Sequence, residues 1–463
     1  MYSGYAKYAR GFLLLPKETN PLDVPSYWLS EKFKDYTLFH DPRVKTAKAG
    51  ETLFIGNGVH IPSGTFFLSS IVEELDSVRD ISFDSAVDDL CGRFVVVSER
   101  DGGLWVRQDA TGMRQAYHTE VPGGTALASH SRLAAIQASR SPSEYAGTFR
   151  KDNGLDAFPG RTTYFQDVWN LLPATEMDLR SGAVRRFYFG PSEVRQLTVE
   201  EAAQILIRNA HAQRDYLLQR KPLHVSLTAG IDSRTTLALI RSIVQDIELF
   251  SYVMSYREGS DIGDDEIPME LAARFGLRHR LLTITAPGIS PEDAEIFNTN
   301  FPGGSHLRNV ALQYQEQIPF GVHLRSNIYE GAVSQFRRHG YKDVDEITPE
   351  VLSAISSRRR STHPLLLKAW AEYLETTDFA AIRNIDPLTL FFFEHRMGSW
   401  LHPVYMEADI AHDVHTLINH RPTLEAINSV SYDERVTEAV QVQAIKCEWP
   451  ELLEIPVNGK LRS

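Results

Sequence analysis

Cysteine is almost missing from this 463-residue chain, which carries only Cys91 and Cys447. Two thiols cannot build a disulfide framework or a Cys-rich metal site, and they suit a reducing compartment. Long apolar runs are missing as well: none nears the roughly eighteen residues of a membrane span. The opening Met1-Tyr2-Ser3-Gly4-Tyr5 lacks the basic and apolar succession of a signal peptide. A cytoplasmic protein without a membrane partner is expected. Basic charge is scarce, with 48 Lys and Arg against 60 Asp and Glu and a formal charge of −12. That excess of acid excludes non-specific nucleic-acid binding as a function class, while a small anion can still be held in one pocket by local groups. No internal repeat or long low-complexity linker is visible. At roughly 100 to 200 residues per domain, the length allows two or three domains.

What is present centres on Leu223-His224-Val225-Ser226-Leu227-Thr228-Ala229-Gly230-Ile231-Asp232-Ser233-Arg234-Thr235-Thr236-Leu237-Ala238. An apolar, β-branched run stops at small residues, and a helical pattern follows at once. The new helix begins with orphan N–H groups and a positive dipole end, and Ala229 and Gly230 let a bulky anion approach the backbone. The loop is not a Walker loop, because no Gly-Lys-Ser/Thr closes it. A Gly turn before a helix capped by Asp232 is the bland alternative.

The Thr228-Ala229-Gly230-Ile231-Asp232-Ser233 stretch resembles the Ser-Gly-Gly-x-Asp-Ser loop of the N-type ATP pyrophosphatases, the asparagine synthetase-like enzymes, with one glycine replaced by alanine. Upstream fragments resemble that family's glutaminase-type domain in their order. They are a Gly92-Arg93-Phe94 strand joined by Gly102-Gly103 to Leu104–Arg107, an Asp109-Ala110-Thr111-Gly112 turn, the Ser129-His130-Ser131 turn into a helix, and a closing hairpin around Asp178–Gly182. The resemblance runs from about Gly92 to Lys460. It implies an α/β protein: an Ntn-hydrolase-like α+β sandwich over 1–192, then a doubly wound parallel-sheet ATP pyrophosphatase-like domain with a helical C-terminal part over 193–463. In the family the glutaminase nucleophile is an N-terminal cysteine. Tyr2 stands in that place, and a phenol with a pKa near 10 cannot replace a thiolate, so glutamine hydrolysis is not expected.

The chain's own pattern adds a helix from about Val199 to Gln219 with apolar residues at helical spacing and a buried strand over Ile247–Met254. Ligands of such sheets sit at the carboxyl ends of the strands. The resemblance therefore implies that Ser226 through Arg234 cradle ATP, that Val253 and Met254 border the adenine, and that Asp264 turns toward nucleotide or metal. Asp265 and Glu266 are alternatives to Asp264, and all three also fit a helix's first turn. Asp232 and Glu330 would hold Mg²⁺, which typically takes one or two carboxylates plus phosphate oxygens. Lys460 would neutralise developing charge, and Glu394 with Tyr329 or Tyr341 would deprotonate an attacking amine. His412, His415 and His420 lack the His-Glu-x-x-His pattern and read as core or surface residues rather than zinc ligands.

The expected activity is ATP-dependent, AMP-forming amide or lactam formation without glutamine, similar to the lactam synthetases and lasso-peptide cyclases, with ATP and Mg²⁺ as cofactors. Intramolecular closure would gain the effective molarity of a tethered amine. An ammonia-dependent asparagine-type synthetase and a catalytically silent nucleotide-binding partner remain alternatives. The expected partner is a small molecule or peptide with a carboxylate and an amine. Nucleic acid is not expected, and a homodimer is open.

Overall fold

The computed structural model describes residues 6–79, 82–148, 157–255, 265–285, 290–304, 307–357 and 361–458. Up to Arg186 the chain builds two antiparallel sheets of six strands each. One runs, in spatial order, Trp169–Asn170, Tyr117–Val121, Gly124–Ala128, Phe12–Pro16, Tyr36–His40 and Leu29–Phe33. The other runs Val184–Arg186, Thr175–Asp178, Gly103–Gln108, Leu90–Arg100, Thr52–His60 and Thr46–Ala49. Alternation sends Phe12, Leu14, Leu53, Ile55, Val95, Val97 and Leu127 into one core between the sheets. Helices Leu68–Val78 and Phe83–Asp88 cover the second sheet through Ile71, Leu75 and Phe83. Helix Ser131–Gln137 covers the first through Leu133 and Ala134. The result is a helix–sheet–sheet–helix sandwich.

The Asp109 turn is a folding device. Its carboxylate accepts the N–H groups of Met113 (2.8 Å) and Arg114 (2.7 Å), and Gly112 takes the left-handed conformation the turn needs (φ +68°).

Residues 187–198 lead into helix Val199–His211, which opens on a capping box between Thr198 and Glu201. The helix stops short of the expected Gln219, and Arg214–Leu218 is a separate turn of helix. A five-stranded parallel sheet follows in the order His279–Ile284, Ile247–Met254, Leu223–Ser226, Val322–Leu324, Asp413–His415. Helices dominate beyond it, including Pro349–Ser356, Pro364–Thr376, Arg421–Asn428 and Ala439–Glu448, with π-helical Phe392–Leu401 among them. No helix among the described residues is long and apolar enough to cross a membrane.

Buried polar contacts join the sandwich to the parallel sheet. Arg93 donates to Asp409 (2.9 and 2.8 Å) and to Asp413 (3.4 Å). The Asn419 amide donates to the Gly92 carbonyl (2.6 Å) and to Asp109 (2.7 Å). Removing one partner of such a buried ion pair typically costs about 3–5 kcal/mol, so the two halves are not free to drift apart.

Candidate functional site

Taken in chain order, the parallel strands lie 3-2-1-4-5, so the order reverses between Leu223–Ser226 and Val322–Leu324. A doubly wound sheet opens a crevice outside the carboxyl ends of its strands at that switch point. The Thr228–Ser233 turn leaves the first of these strands, and Arg325–Glu330 leaves the second. Thr236 and Ser326 join the two exits through their hydroxyls at 2.8 Å.

Residues of the turn alternate. Ser226, Thr228, Gly230 and Asp232 meet solvent, while Leu227, Ala229, Ile231 and Ser233 are buried. Ala229 is 1% exposed, so its methyl enters the core and does not narrow the mouth of the turn. The Ser233 hydroxyl accepts the Thr228 N–H (3.0 Å), and the Thr228 hydroxyl accepts the Gly230 N–H (3.2 Å). Helix Ile231–Leu239 has Gly230 at its N-cap and no side-chain cap, so its first N–H groups face the crevice with no side chain of the cap residue in the way. Asp232 is therefore a first-turn acid and not the N-cap.

Asp232 follows the first of these strands and Glu330 the second, one on each side of the switch point. Burial raises the Asp232 carboxyl well above its ordinary range, and the charges of Glu330 and Glu438 raise it further. Burial also raises Glu330, against the opposing pull of Arg396. Among the described residues neither carboxylate has a hydrogen bond or ion pair. No described group of three or more His, Cys, Asp and Glu can hold a metal by itself. Two partnerless oxygen donors that repel each other fit Mg²⁺, whose remaining shell is commonly phosphate and water.

Tyr329 is fully buried, its hydroxyl makes no formed hydrogen bond, and the Asp232 charge acts on it. Gly331 lets this segment close on Phe393, since a Cβ there would come within 2.4 Å of the ring. That contact brings the 327–332 turn against the π-helical segment carrying Arg396.

Two sequence expectations need correction. Glu394 does not meet Tyr329 or Tyr341. It is 0% exposed, Arg186 donates to both its oxygens (2.6 and 3.2 Å), and the Tyr373 hydroxyl donates to it as well. Its oxygens are committed to holding the sandwich's last strand, so it cannot take a proton from a substrate in the crevice. Arg234 does not cradle phosphate. Its buried guanidinium donates to the carbonyls of Leu452 (2.9 Å), Ile455 (2.6 Å), Ala229 (3.2 Å) and Pro456, pinning the C-terminal segment to the turn. Asn458 completes that seam, its N–H donating to the Ala229 carbonyl (3.1 Å).

Val253 and Met254 are half-buried at the carboxyl end of their strand. Asp265 caps helix Glu266–Phe275 by accepting the Glu266 N–H (2.9 Å). Asp264 and Lys460 lie outside the described residues, as does Tyr2. His412, His415 and His420 are buried and bonded to Ile318, Gln213 and Thr423 respectively. Arg325, Tyr405 and Glu438 carry no signal in the sequence, and Arg396 reads there only as a polar partner for Glu394, which Arg186 and Tyr373 hold instead. Arg396 falls in a π-helical segment whose side chains do not follow a 3.6-residue repeat, and a π segment is itself a common mark of a functional site.

No family model matches the chain, and no curated protein matches it. Among solved structures, the chain is similar to NMN synthetase from Francisella tularensis, at 15% identity and TM-score 0.21, over 43% of this chain and 94% of that one. It is also similar to the glutamine PRPP amidotransferase from B. subtilis, at 11% identity and TM-score 0.22, over 72% of each chain. A third is the glutamine-dependent NAD+ synthetase from Acinetobacter baumannii, at 14% identity and TM-score 0.18, over 63% of this chain and 67% of that one.

Proposed function

We propose that this chain is an ATP-dependent, AMP-forming carbon–nitrogen ligase that activates a carboxylate and passes it to an amine without hydrolysing glutamine. The observation that carries the reading is the meeting, at one switch point, of an uncapped helix N-terminus behind a small-residue turn and two partnerless carboxylates. Anions bind at such helix ends, and a nucleotide's phosphates are the anions that also bring a divalent cation.

In this reading the N–H groups of the helix and the Thr228 hydroxyl hold the triphosphate, and Val253 and Met254 border the base. Asp232 and Glu330 would hold Mg²⁺, which when bound neutralises charge on departing pyrophosphate. A substrate carboxylate oxygen bonds to the α-phosphorus as the bond to pyrophosphate breaks. An amine nitrogen then bonds to the acyl carbon, AMP leaves with the electron pair of the anhydride bond, and the nitrogen loses a proton. Asp264 and Lys460, carried from the family resemblance, complete the proposed set. Asn458, two residues before Lys460 in the sequence, is bonded to the turn.

The nitrogen source follows from the cysteines. The Cys91 thiol is buried, donates to Gln213 at 3.4 Å, and is pushed up by burial. Cys447 is exposed on helix Ala439–Glu448, away from the sandwich core. Neither is a thiolate poised for glutamine attack. Pyrophosphate exchange into ATP, run over a panel of carboxylates on wild type and D232N, tests the proposal. Magnesium-dependent exchange that D232N abolishes supports it. ADP and phosphate as products, or glutamate released from glutamine, would overturn it.

A further inference from the structure

A cleft apart from the crevice opens where the sandwich meets helix Pro364–Thr376. It encloses about 630 Å³ and shares no residue with the Thr228–Ser233 turn or the Asn327–Ala332 segment. Its sandwich wall is His118 and Glu120 of strand Tyr117–Val121, Arg161, and Trp169 of strand Trp169–Asn170; its helical wall is Glu372 and Tyr373. The turn at 159–162 places Arg161. Gly160 is left-handed (φ +59°) and packs directly on the helix, since a Cβ there would come 3.0 Å from the Tyr373 Cβ. The Arg161 carbonyl accepts the Asn170 N–H (2.8 Å), which pins the turn to the edge of the sheet. An adjoining cavity of about 370 Å³ shares Asp167, Trp169 and Glu372, so the cleft extends past Trp169.

Charge in the cleft is incompletely paired. Arg140 is matched by Asp167 (3.1 Å). Arg161 is not: its guanidinium donates to the His118 ring at 3.2 Å and lies 5.7 Å from the Trp169 ring centroid, and its Nε is buried without a partner. Among the described residues no carboxylate is within ion-pair distance of it. His118 does not supply the counter-charge, because burial holds it neutral. The carboxylates of Glu120 and Glu372 likewise have no hydrogen bond or ion pair among the described residues. A guanidinium fork is matched best by a planar carboxylate. Two free acids in the same cavity favour an ammonium there and oppose the second negative charge of a phosphate. We infer that this cleft binds a short peptide, its C-terminal carboxylate on Arg161 and its N-terminal ammonium toward Glu120 and Glu372. The volume lies within the ~300–1,000 Å³ of pockets that enclose drug-sized ligands, more than one free amino acid fills.

Calorimetric titration with trialanine, trialanine amide, N-acetyl-trialanine, alanine and inorganic phosphate tests this on wild type, R161M, R161K and E372Q. No ATP is present, so the outcome is separate from that of the ligase reading. Trialanine is expected to bind wild type and to raise its unfolding temperature. Amidation of the peptide's carboxyl and R161M should each weaken binding by about 10–100-fold, as loss of a charge-assisted hydrogen bond does, with R161K in between. The amide should bind wild type and R161M alike, because each change removes the same contact. Acetylation and E372Q should weaken binding by a smaller factor, since Glu120 shares the ammonium. Should R161M not fold, the comparison of trialanine with its amide on wild type carries the test alone. No binding of trialanine to wild type overturns the inference. Equal binding of trialanine and its amide overturns it as well, and leaves Arg161 a structural residue. Alanine or phosphate binding as tightly as trialanine, and lost in R161M, would show a simple anion site and overturn the peptide assignment.

Discussion

Asp232→Asn probes the acid pair with the least disturbance of shape. Burial raises both carboxyls, and the Glu330 charge raises Asp232 further, so each keeps its proton to a higher pH than an ordinary surface acid. Because the folded chain binds these protons more tightly than the unfolded chain, their contribution to stability falls as pH rises. The fall begins at the ordinary carboxylate range and continues until the raised folded value is passed, at about 1.4 kcal/mol per pH unit for each group. D232N removes one group and relieves the other, so the difference between wild type and variant should grow through that window in favour of the variant. A divalent cation must displace these protons to bind. Calorimetry of Mg²⁺–ATP in buffers of different ionisation enthalpy should therefore detect more proton release on binding to wild type than on binding to D232N. Affinity should fall by more than the ~10–100-fold typical of losing a group that only supports a metal ligand. Equal proton release in both proteins, with equal affinity, would refute the assignment of this pair to a cation.

Three further outcomes follow from buried contacts. Arg234→Ala strips four backbone carbonyls of their charged donor; at ~1.5–3 kcal/mol for a single charged hydrogen bond, a loss of about 3 kcal/mol or more is expected, with faster proteolysis after Trp449 in limited digestion. Glu394→Gln leaves Arg186 buried without its counter-charge and should cost about 3–5 kcal/mol in denaturant unfolding, with an unchanged KM for ATP in exchange; an unaltered stability with abolished turnover would restore a catalytic role. His130, His395, His412, His415 and His420 are held neutral by burial, each lowered to about 3. The folded chain binds fewer protons here than the unfolded one, so stability is full above the ordinary histidine value near 6.5 and is lost below it, by about 1.4 kcal/mol per pH unit for each group, read as a falling denaturant midpoint between pH 6.5 and 5.

The elements that announced themselves in the sequence were those with one strong local cause. The Leu223–Ser226 strand, its small-residue turn and helix Ile231–Leu239 follow from β-branched residues, then glycine, then helix formers. The Leu90–Arg100 and Gly103–Gln108 hairpin follows from an apolar run and a Gly-Gly turn. The Thr228–Ser233 turn and Glu330 were readable for the same reason, since each ends a strand. What was not readable depended on partners far apart in sequence. Glu394 looked available because nothing near it announces Arg186, 208 residues away. Arg234 follows Asp232-Ser233 in a loop where a positive charge suits phosphate, yet its guanidinium is taken by carbonyls more than 200 residues further on. Arg325 and Tyr405 carry no motif at all, and their contact, 5.3 Å from guanidinium to ring centroid, exists only in space.

The lack of partners at Asp232 and Glu330 also weighs on whether the chain is catalytically silent. Alanine in place of glycine at position 229 and a single acid in the Glu330 turn both suggest decay when read from sequence. In space, Ala229 keeps its methyl in the core, and its carbonyl receives both the Arg234 guanidinium and the Asn458 N–H, so the residue is part of the seam that holds the turn. A chain released from binding a cation would gain stability by replacing Asp232 and Glu330, because burial without a partner disfavours a carboxylate relative to a well-packed apolar residue. Both persist at the switch point without a partner among the described residues, while buried ions elsewhere, Arg93, Arg186 and Asp413 among them, have found counter-charges. Two raised, partnerless carboxyls on either side of the switch point are the arrangement expected of groups that a cation completes.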